Sequence, residues 1–135
     1  MAIVGSEFLD MARECLSSGS TSEVMCRVSV SRGYYGVYHV ALAYADSISI
    51  PPVSATAGRT HEKLRLYYEN FFGTDRSATL AHRHIGYRLK QLHDARVIAD
   101  YKVDETVSYI MAEAQVESCT QLIERIDSLK ATKAA

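Results

Sequence analysis

Several features that mark common protein classes are scarce or missing in this chain of 135 residues. It has no tryptophan, only two prolines, which are adjacent, and three cysteines without metal-ligand spacing. No apolar run reaches membrane-spanning length, and the N-terminus lacks a basic segment followed by an apolar one. These absences predict a cytoplasmic protein with reduced, packing cysteines, and they favour no metal, no cofactor and no membrane contact.

An excess of charge of one sign is also lacking, because the formal net charge is −1 and gives no global sign of a nucleic-acid partner. Alternating apolar and polar residues, the pattern of half-buried strands, are missing, whereas apolar residues recur at helical spacing. The sequence therefore predicts an all-α fold. We expect one domain over residues 1–135, an up-and-down bundle of four main helices plus a short helix.

Capping and breaking residues set the predicted helix boundaries, with Ser22 capping the second helix and Thr60 the third. The predicted helices span 6–17, 21–47, 60–72, 76–99 and 105–129, with a proline-containing loop at 48–59 and a frayed tail at 130–135. The apolar stripes place Leu80, Ile110 and Met111 in the core. The second helix is apolar nearly all round, which indicates that it is central and buried.

Two polar residues stand out on this second helix. Arg32 and His39 are seven residues apart, which at about 100° per residue places them roughly 20° apart on one face. Tyr35 and Gly36 lie on the turn between them. The face thus carries a permanent cation, an imidazole and a phenol, a set that suits catalysis. The alternative is that Arg32 forms an ion pair at the surface and that His39 is a hydrogen-bonded histidine of the core or its rim.

Small residues line the flank of that face. Ser29, Gly33, Gly36 and Ala43 follow the spacing of one helical stripe. Each glycine inside a helix costs about 1 kcal/mol relative to alanine, so the two glycines indicate a backbone that another helix or a ligand approaches closely. We assign this stripe to a dimer interface, and we assign Tyr35 and Gly36 to substrate positioning.

Three segments resemble one known family. Residues 31–39 read SRGYYGVYH, residues 58–61 read GRTH, and residues 89–101 read LKQLHDARVIADY. They are similar, in this order, to the second-helix signature, the loop before the third helix and the Leu-x-x-Leu-x-x-x-Arg-x-x-Ala-Asp-Tyr segment of the HEPN superfamily. The first match places Arg32 and His39 on the Arg-x4–6-His motif of its ribonuclease members, here with six residues between them.

This resemblance implies an activity. HEPN ribonucleases are metal-independent dimers that leave a 2′,3′-cyclic phosphate, and they often act as toxins or phage-defence effectors. We accordingly expect the chain to cleave RNA as a homodimer. Bacterial members frequently pair with a nucleotidyltransferase-type antitoxin that modifies a tyrosine shortly after the catalytic histidine. The nearest such tyrosine here is Tyr44.

The chemistry of RNA cleavage explains why a dimer is expected. Without a metal, the reaction needs a base for the 2′-hydroxyl, an acid for the leaving 5′-oxygen and a cation for the phosphorane charge. Histidine suits the proton transfers and arginine matches two phosphate oxygens. One copy offers only His39 on this face, so a symmetric dimer would supply the second histidine within a shared Arg32 and His39 cleft.

A non-catalytic HEPN module that binds a nucleotidyltransferase or another effector is the alternative function. Gly33 favours it, because many active members carry a polar residue at this position, whereas the intact Arg-x6-His motif favours the nuclease. On the fourth helix, Arg76, Arg83 and Lys90 repeat every seven residues. They are either a solvated face or a track for RNA phosphates.

Two further patterns on the fourth helix have structural interpretations. Arg96 and Asp100 are four residues apart, which predicts a salt bridge that fixes the turn after this helix. His82, His84 and His93 are too far apart, around or along the helix, to bind one metal ion together. We therefore predict no metal site.

Overall fold

A computed structural model of the protein describes residues 3–17 and 22–134. Within these ranges the chain forms five α-helices and one short 3-10 helix, and no strand. They are α1 (Gly5–Leu16), α2 (Glu23–Ile48), the 3-10 helix (Val53–Ala55), α3 (Thr60–Glu69), α4 (Arg76–Tyr101) and α5 (Tyr109–Ala134). The predicted all-α class is confirmed. Three helices have 26 residues and two have 12 and 10, where four main helices and one short helix were expected.

Helix α2 lies at the centre of the molecule. It begins at the predicted cap, because the Ser22 hydroxyl accepts a hydrogen bond from the Met25 amide at 3.2 Å. It contacts each of the other four α-helices. Its buried residues are Cys26, Ser29, Val30, Ser31, Gly33, Tyr34, Gly36, Val37, Ala41, Tyr44 and Ala45. The prediction of a central, buried helix is confirmed.

The closest approach to α2 is made by α1. A Cβ atom added to Gly36 would lie 3.1 Å from the carbonyl oxygen of Gly5 and 3.2 Å from the amide nitrogen of Leu9. Both are backbone atoms, which cannot move aside as a flexible side chain can. Glycine at position 36 therefore allows α1 to cross α2 with the two backbones in contact.

The neighbouring small residues are also enclosed within the chain. A Cβ atom on Gly33 would lie 3.3 Å from Cys119 Sγ of α5, and Ser29 is fully buried, with its hydroxyl donating to a backbone carbonyl of its own helix. The prediction that Ser29, Gly33 and Gly36 form a dimer interface is wrong, because α1 and α5 already cover them. A role for Gly36 in positioning substrate is wrong for the same reason. Ala43 is exposed.

The start of α5 differs from the prediction. Ser108 accepts a hydrogen bond from the Met111 amide at 3.2 Å, and the helix begins at Tyr109 instead of residue 105. Ile110 and Met111, predicted to be core residues, are therefore 77% and 49% exposed. The apolar residues of α5 that are buried are Ala112, Val116, Cys119, Leu122, Ile123 and Ile126.

Other boundaries shift by smaller amounts. Thr60 is the first residue of α3 and Arg59 occupies the cap position, and this helix ends at Glu69, before the predicted residue 72. Leu80, expected in the core, is 51% exposed. Residues 130–134 are helical and not a frayed tail. The serine-rich segment 18–22 is predicted to be a loop that ends at the cap of α2; its residues 18–21, and the last residue of the predicted tail, lie outside the described residues.

The three cysteines are buried free thiols, in agreement with their predicted packing role. Burial raises the pKa of Cys119 to about 12, so this side chain packs as a neutral thiol. None of the described helices has both the length and the apolar character that a membrane crossing requires.

Candidate functional site

One face of α2 remains accessible and carries Arg32, Tyr35 and His39. The Arg32 guanidinium lies 5.0 Å from the centre of the Tyr35 ring, a cation–π contact. His39 is exposed, and its ring stacks on that of Phe8 from α1 at 5.3 Å. Phe8 also contacts Tyr35, with ring centres 6.3 Å apart. The predicted pair therefore lies on one face, flanking two aromatic rings.

Arg32 is half-buried, yet it forms no ion pair with a carboxylate of the described residues. Four other arginines each pair with a carboxylate; these are Arg13, Arg27, Arg65 and Arg96. A half-buried cation gains stability when an anion binds to it. Arg32 is thus a candidate ligand for an external anion such as a phosphate.

Helix α4 contributes a second arginine to the same ring. The Arg96 guanidinium lies 5.2 Å from the centre of the Tyr35 ring and donates a hydrogen bond to its hydroxyl at 2.6 Å. Its Nε atom is 3.0 Å from Asp100 Oδ2, which also accepts a hydrogen bond from the Ser31 hydroxyl at 3.1 Å. The predicted salt bridge is confirmed, and it positions Arg96 in the site.

Two more imidazoles meet this face from other helices. The Tyr34 hydroxyl and His61 Nδ1 are 2.7 Å apart, and the His61 and His93 rings are 5.2 Å apart. The Tyr38 ring touches both the His61 ring, at 4.7 Å, and the His39 ring, at 5.1 Å. The structure thus assembles three histidines from α2, α3 and α4 around two tyrosines.

Sequence reasoning missed His61 and His93 as site residues. His93 precedes Arg96 by three residues, so helical geometry places the two on one face, and this signal was readable. His61 reaches the site because α3 packs tightly on α4, where a Cβ atom on Gly86 would lie 2.8 Å from the amide nitrogen of Glu69. No local pattern in the sequence shows which faces of α3 and α4 meet.

Burial and neighbouring cations favour the neutral form of two of these imidazoles, His61 and His93. Burial lowers the pKa of His61, and the charges of His93, Arg96 and His39 lower it further. The pKa of His93 is lowered as well, mainly by burial and next by the charge of Arg96. Burial raises the pKa of Tyr34, so its hydroxyl stays neutral and can accept a hydrogen bond from a proton on His61 Nδ1, which leaves Nε2 of the neutral ring with a free lone pair.

A cleft of about 330 Å³ with both cationic and acidic residues in its lining opens beside His61, between α3 and α4. Its charged and polar lining consists of Tyr34, Arg59, Thr60, His61, Glu62, Arg65, Lys90, His93 and Asp94. Arg65 pairs with Glu69 at 3.1 Å and Lys90 with Asp94 at 3.2 Å. Arg59 lies at the cleft without an ion pair among the described residues. The cleft therefore offers cationic groups next to the histidines.

The predicted basic row of α4 is divided between two places. Lys90 borders the cleft beside His61, whereas Arg76 and Arg83 border a separate hollow near Gly73. The Nε atom of Arg83 donates to the carbonyl of Phe71 at 3.0 Å, so this side chain also ties the segment after α3 to α4. Lys90 is the member of the row best placed to meet a ligand of the site.

A second cleft, of about 760 Å³, borders His39. It is bounded by α1, α2 and α5, and its apolar lining includes Ile3, Val4, Phe8, Val40, Leu42, Ala43 and Ile123. Ile3 and Val4 are 60% and 62% exposed. His39 therefore borders an apolar cleft, whereas the cleft beside His61 is lined by charged and polar residues.

No group of three or more His, Cys, Asp or Glu side chains in residues 3–17 and 22–134 is arranged to hold a metal ion. No family model, curated protein or solved structure matches this chain. The geometry of the site and the three short segments with the family resemblance are therefore the features that bear on function.

Proposed function

We propose that this chain is a metal-independent endoribonuclease of the HEPN type, a cytoplasmic toxin or phage-defence effector. The proposal is supported chiefly by one observation. On the accessible face of α2, a half-buried arginine without a carboxylate partner in the described chain and an exposed histidine flank Tyr35. These are Arg32 and His39, the residues that the Arg-x6-His motif assigns to catalysis.

The proposed reaction is a transesterification of RNA. The 2′-hydroxyl attacks the adjacent phosphorus, the bond to the 5′-oxygen breaks, and a 2′,3′-cyclic phosphate remains. Arg32 holds two phosphate oxygens through its planar guanidinium, and Arg96, fixed to the same Tyr35 ring, adds positive charge beside it. His39 transfers one of the two protons. The reaction needs no cofactor.

The expected homodimer stays a prediction, although the contact proposed for it is internal to the chain. Light scattering at micromolar concentration tests it, because a dimer has twice the monomer mass. A monomer that cleaves RNA would show that one copy holds every group the reaction needs.

Incubation of the purified protein with total RNA, with and without EDTA, tests the function. End-group analysis should show 2′,3′-cyclic phosphates in both reactions. The variant His39→Ala should lose cleavage and keep its helical content. A matched control is His84→Ala, because His84 is a half-buried histidine of α4 that borders a different hollow with Arg125. Cleavage by His39→Ala at the parental rate would contradict the proposal.

A non-catalytic module that binds a nucleotidyltransferase-type antitoxin is the second candidate. The apolar cleft beside His39, with exposed Ile3 and Val4 at its edge, favours a protein partner. Gly33 no longer supports this candidate, because it packs against Cys119 and does not face the site. A chain without ribonuclease activity, whose binding to a purified nucleotidyltransferase is abolished by Val4→Asp, would establish this alternative.

A further inference from the structure

The proposed reaction needs two proton transfers, and the accessible face of α2 supplies one histidine. The structure places a second imidazole beside it, in the same chain. The rings of His39 and His61 both contact the Tyr38 ring, at 5.1 and 4.7 Å. In an in-line displacement the attacking and leaving oxygens lie on opposite sides of phosphorus, so the base and the acid must stand apart. The structure supplies two separate imidazoles next to this one ring, His39 from α2 and His61 from α3.

His61 is better placed for this role than His93. Its Nδ1 atom is 2.7 Å from the Tyr34 hydroxyl, which fixes the ring and leaves Nε2 as the second nitrogen. Its ring is 6.4 Å from that of Tyr35, over which both arginines of the site lie. His93 touches the site through Tyr34 and His61 and has Asp94 4.0 Å away.

We propose that His61 is the general base and His39 the general acid of RNA cleavage, both within one protomer. This inference rests on the proposed ribonuclease function. The proton of the 2′-hydroxyl passes to His61, the 2′-oxygen bonds to phosphorus, and the 5′-oxygen leaves with a proton from His39. The strand enters the cleft that His61 borders, where Arg59, Arg65 and Lys90 meet its phosphates.

The surroundings of His61 suit a base. A base must be neutral before it reacts, and burial together with nearby cations lowers the pKa of His61 below the ordinary 6.5. His39, in contrast, is exposed at the edge of the site, where a leaving nucleotide and solvent can reach it. The charged and titratable groups that face His61 are Tyr34, Tyr35, Tyr38 and His39 of α2, Arg59, Glu62 and Arg65 in or beside α3, and Lys90, His93, Asp94 and Arg96 of α4.

Changing the leaving group separates the two roles. A 4-nitrophenyl leaving group departs without protonation, so uridine 3′-(4-nitrophenyl phosphate) needs a base but no acid. On an RNA dinucleotide, His39→Ala and His61→Ala should each lose about 10²–10⁴-fold in rate. On the nitrophenyl substrate, His39→Ala should return to within a few-fold of the parent, and His61→Ala should stay slow. The control His84→Ala should match the parent on both substrates.

The pH profile gives a second readout that a structural role would not change. The rate of the parent on the dinucleotide should rise with pH through the pKa of His61, below 6.5, as the base loses its proton. In His61→Ala this acidic limb should disappear, and added imidazole should restore activity in proportion to its free-base form. If His61→Ala is unfolded by circular dichroism, His61→Gln serves in its place in the leaving-group and pH measurements.

Mixing the variants tests whether one protomer holds both groups. If the base and the acid came from different copies, an equal mixture of His39→Ala and His61→Ala would regain about a quarter of parental activity through mixed dimers. We expect no recovery. Recovery of activity in the mixture would overturn the inference. The same holds if the nitrophenyl substrate rescues His61→Ala and not His39→Ala. It also holds if folded His61→Ala cleaves the dinucleotide at the parental rate. A parent that cleaves no RNA would instead overturn the proposed function.

Discussion

The two faces of α2 differ in what packs against them. The face with Gly33 and Gly36 is small, and it receives the backbone of α1 and the side chains of α5 within van der Waals contact. The face with Arg32, Tyr35 and His39 carries longer polar side chains, which contact the Phe8 ring of α1 and the Arg96 guanidinium of α4. Small residues allow helices to close on each other, whereas long polar residues hold neighbouring helices away and leave clefts between them.

This comparison makes opposite predictions for the two faces. Substitutions on the face of Arg32 and His39 should change activity and leave the free energy of unfolding nearly constant. Substitutions on the glycine face should destabilise the chain.

The largest effect is expected at Arg32. The variant Arg32→Lys keeps the charge and loses the bidentate guanidinium, so the rate of RNA cleavage should fall by about 10²–10³-fold. The urea midpoint should stay unchanged, because Arg32 contributes no ion pair within the described chain. Arg125→Lys, on the exposed side of α5, is the matched control. Equal rates for both variants would remove Arg32 from the site.

The glycine face should respond in stability. In Gly36→Ala the new methyl group meets the backbone of α1 at Gly5 and Leu9, which should lower the free energy of unfolding by about 1–3 kcal/mol. Ala43→Ser, an exposed position of the same stripe, should change it by less than about 0.5 kcal/mol. Urea denaturation measures both. A Gly36→Ala variant as stable as the parent would show that α1 does not pack as closely as described.

A smaller effect is expected from the hydrogen bond that holds His61. Tyr34→Phe removes the hydroxyl and keeps the ring, so the loss is that of one buried hydrogen bond, about 0.5–1.5 kcal/mol, or roughly 2- to 12-fold in rate. Tyr87→Phe is the control, since Tyr87 is exposed and bonds to Gln91 at 3.1 Å. An unchanged rate for Tyr34→Phe would mean that this contact does not position the imidazole.

The smallest effect is expected on RNA binding from the basic row of α4, and it should differ between Lys90 and Arg83. Lys90→Glu should weaken RNA binding a few-fold at low salt, and the difference should shrink as salt is raised. Arg83→Glu should weaken it less, because Arg83 lies by a different hollow and donates to the Phe71 carbonyl. Filter binding at two salt concentrations measures both variants. Equal losses would support a continuous track along α4.

Local patterns in the sequence predicted several features that depend on residues one or two turns apart. The helical period gave the all-α class and the central helix, Ser22 gave its cap, and the four-residue spacing gave the Arg96–Asp100 bridge. The same period placed Arg32 and His39 on one face. Each of these follows from the geometry of a single helix, which is fixed by backbone hydrogen bonds.

Local patterns failed where a boundary or a neighbour decided the outcome. Ile110 and Met111 are apolar and were expected inside, but the Ser108 cap starts α5 later and turns them to the surface. The stripe of Gly33 and Gly36 correctly indicated a close approach. Its partner is part of the same chain and not a second copy, which the sequence of one helix cannot distinguish.

Helical periodicity alone shows that the chain is helical and that α2 carries a cation and an imidazole on one face. The contact of α1 with the glycines, and of His61 and His93 with Tyr34, depends instead on how the helices pack. The contacts between His61 and α2 join residues 27 positions apart or less, while Arg96 is 61 positions from Tyr35. Contacts between residues so far apart in the sequence depend on how the helices pack, and this packing is set by the shapes of all the helix faces together.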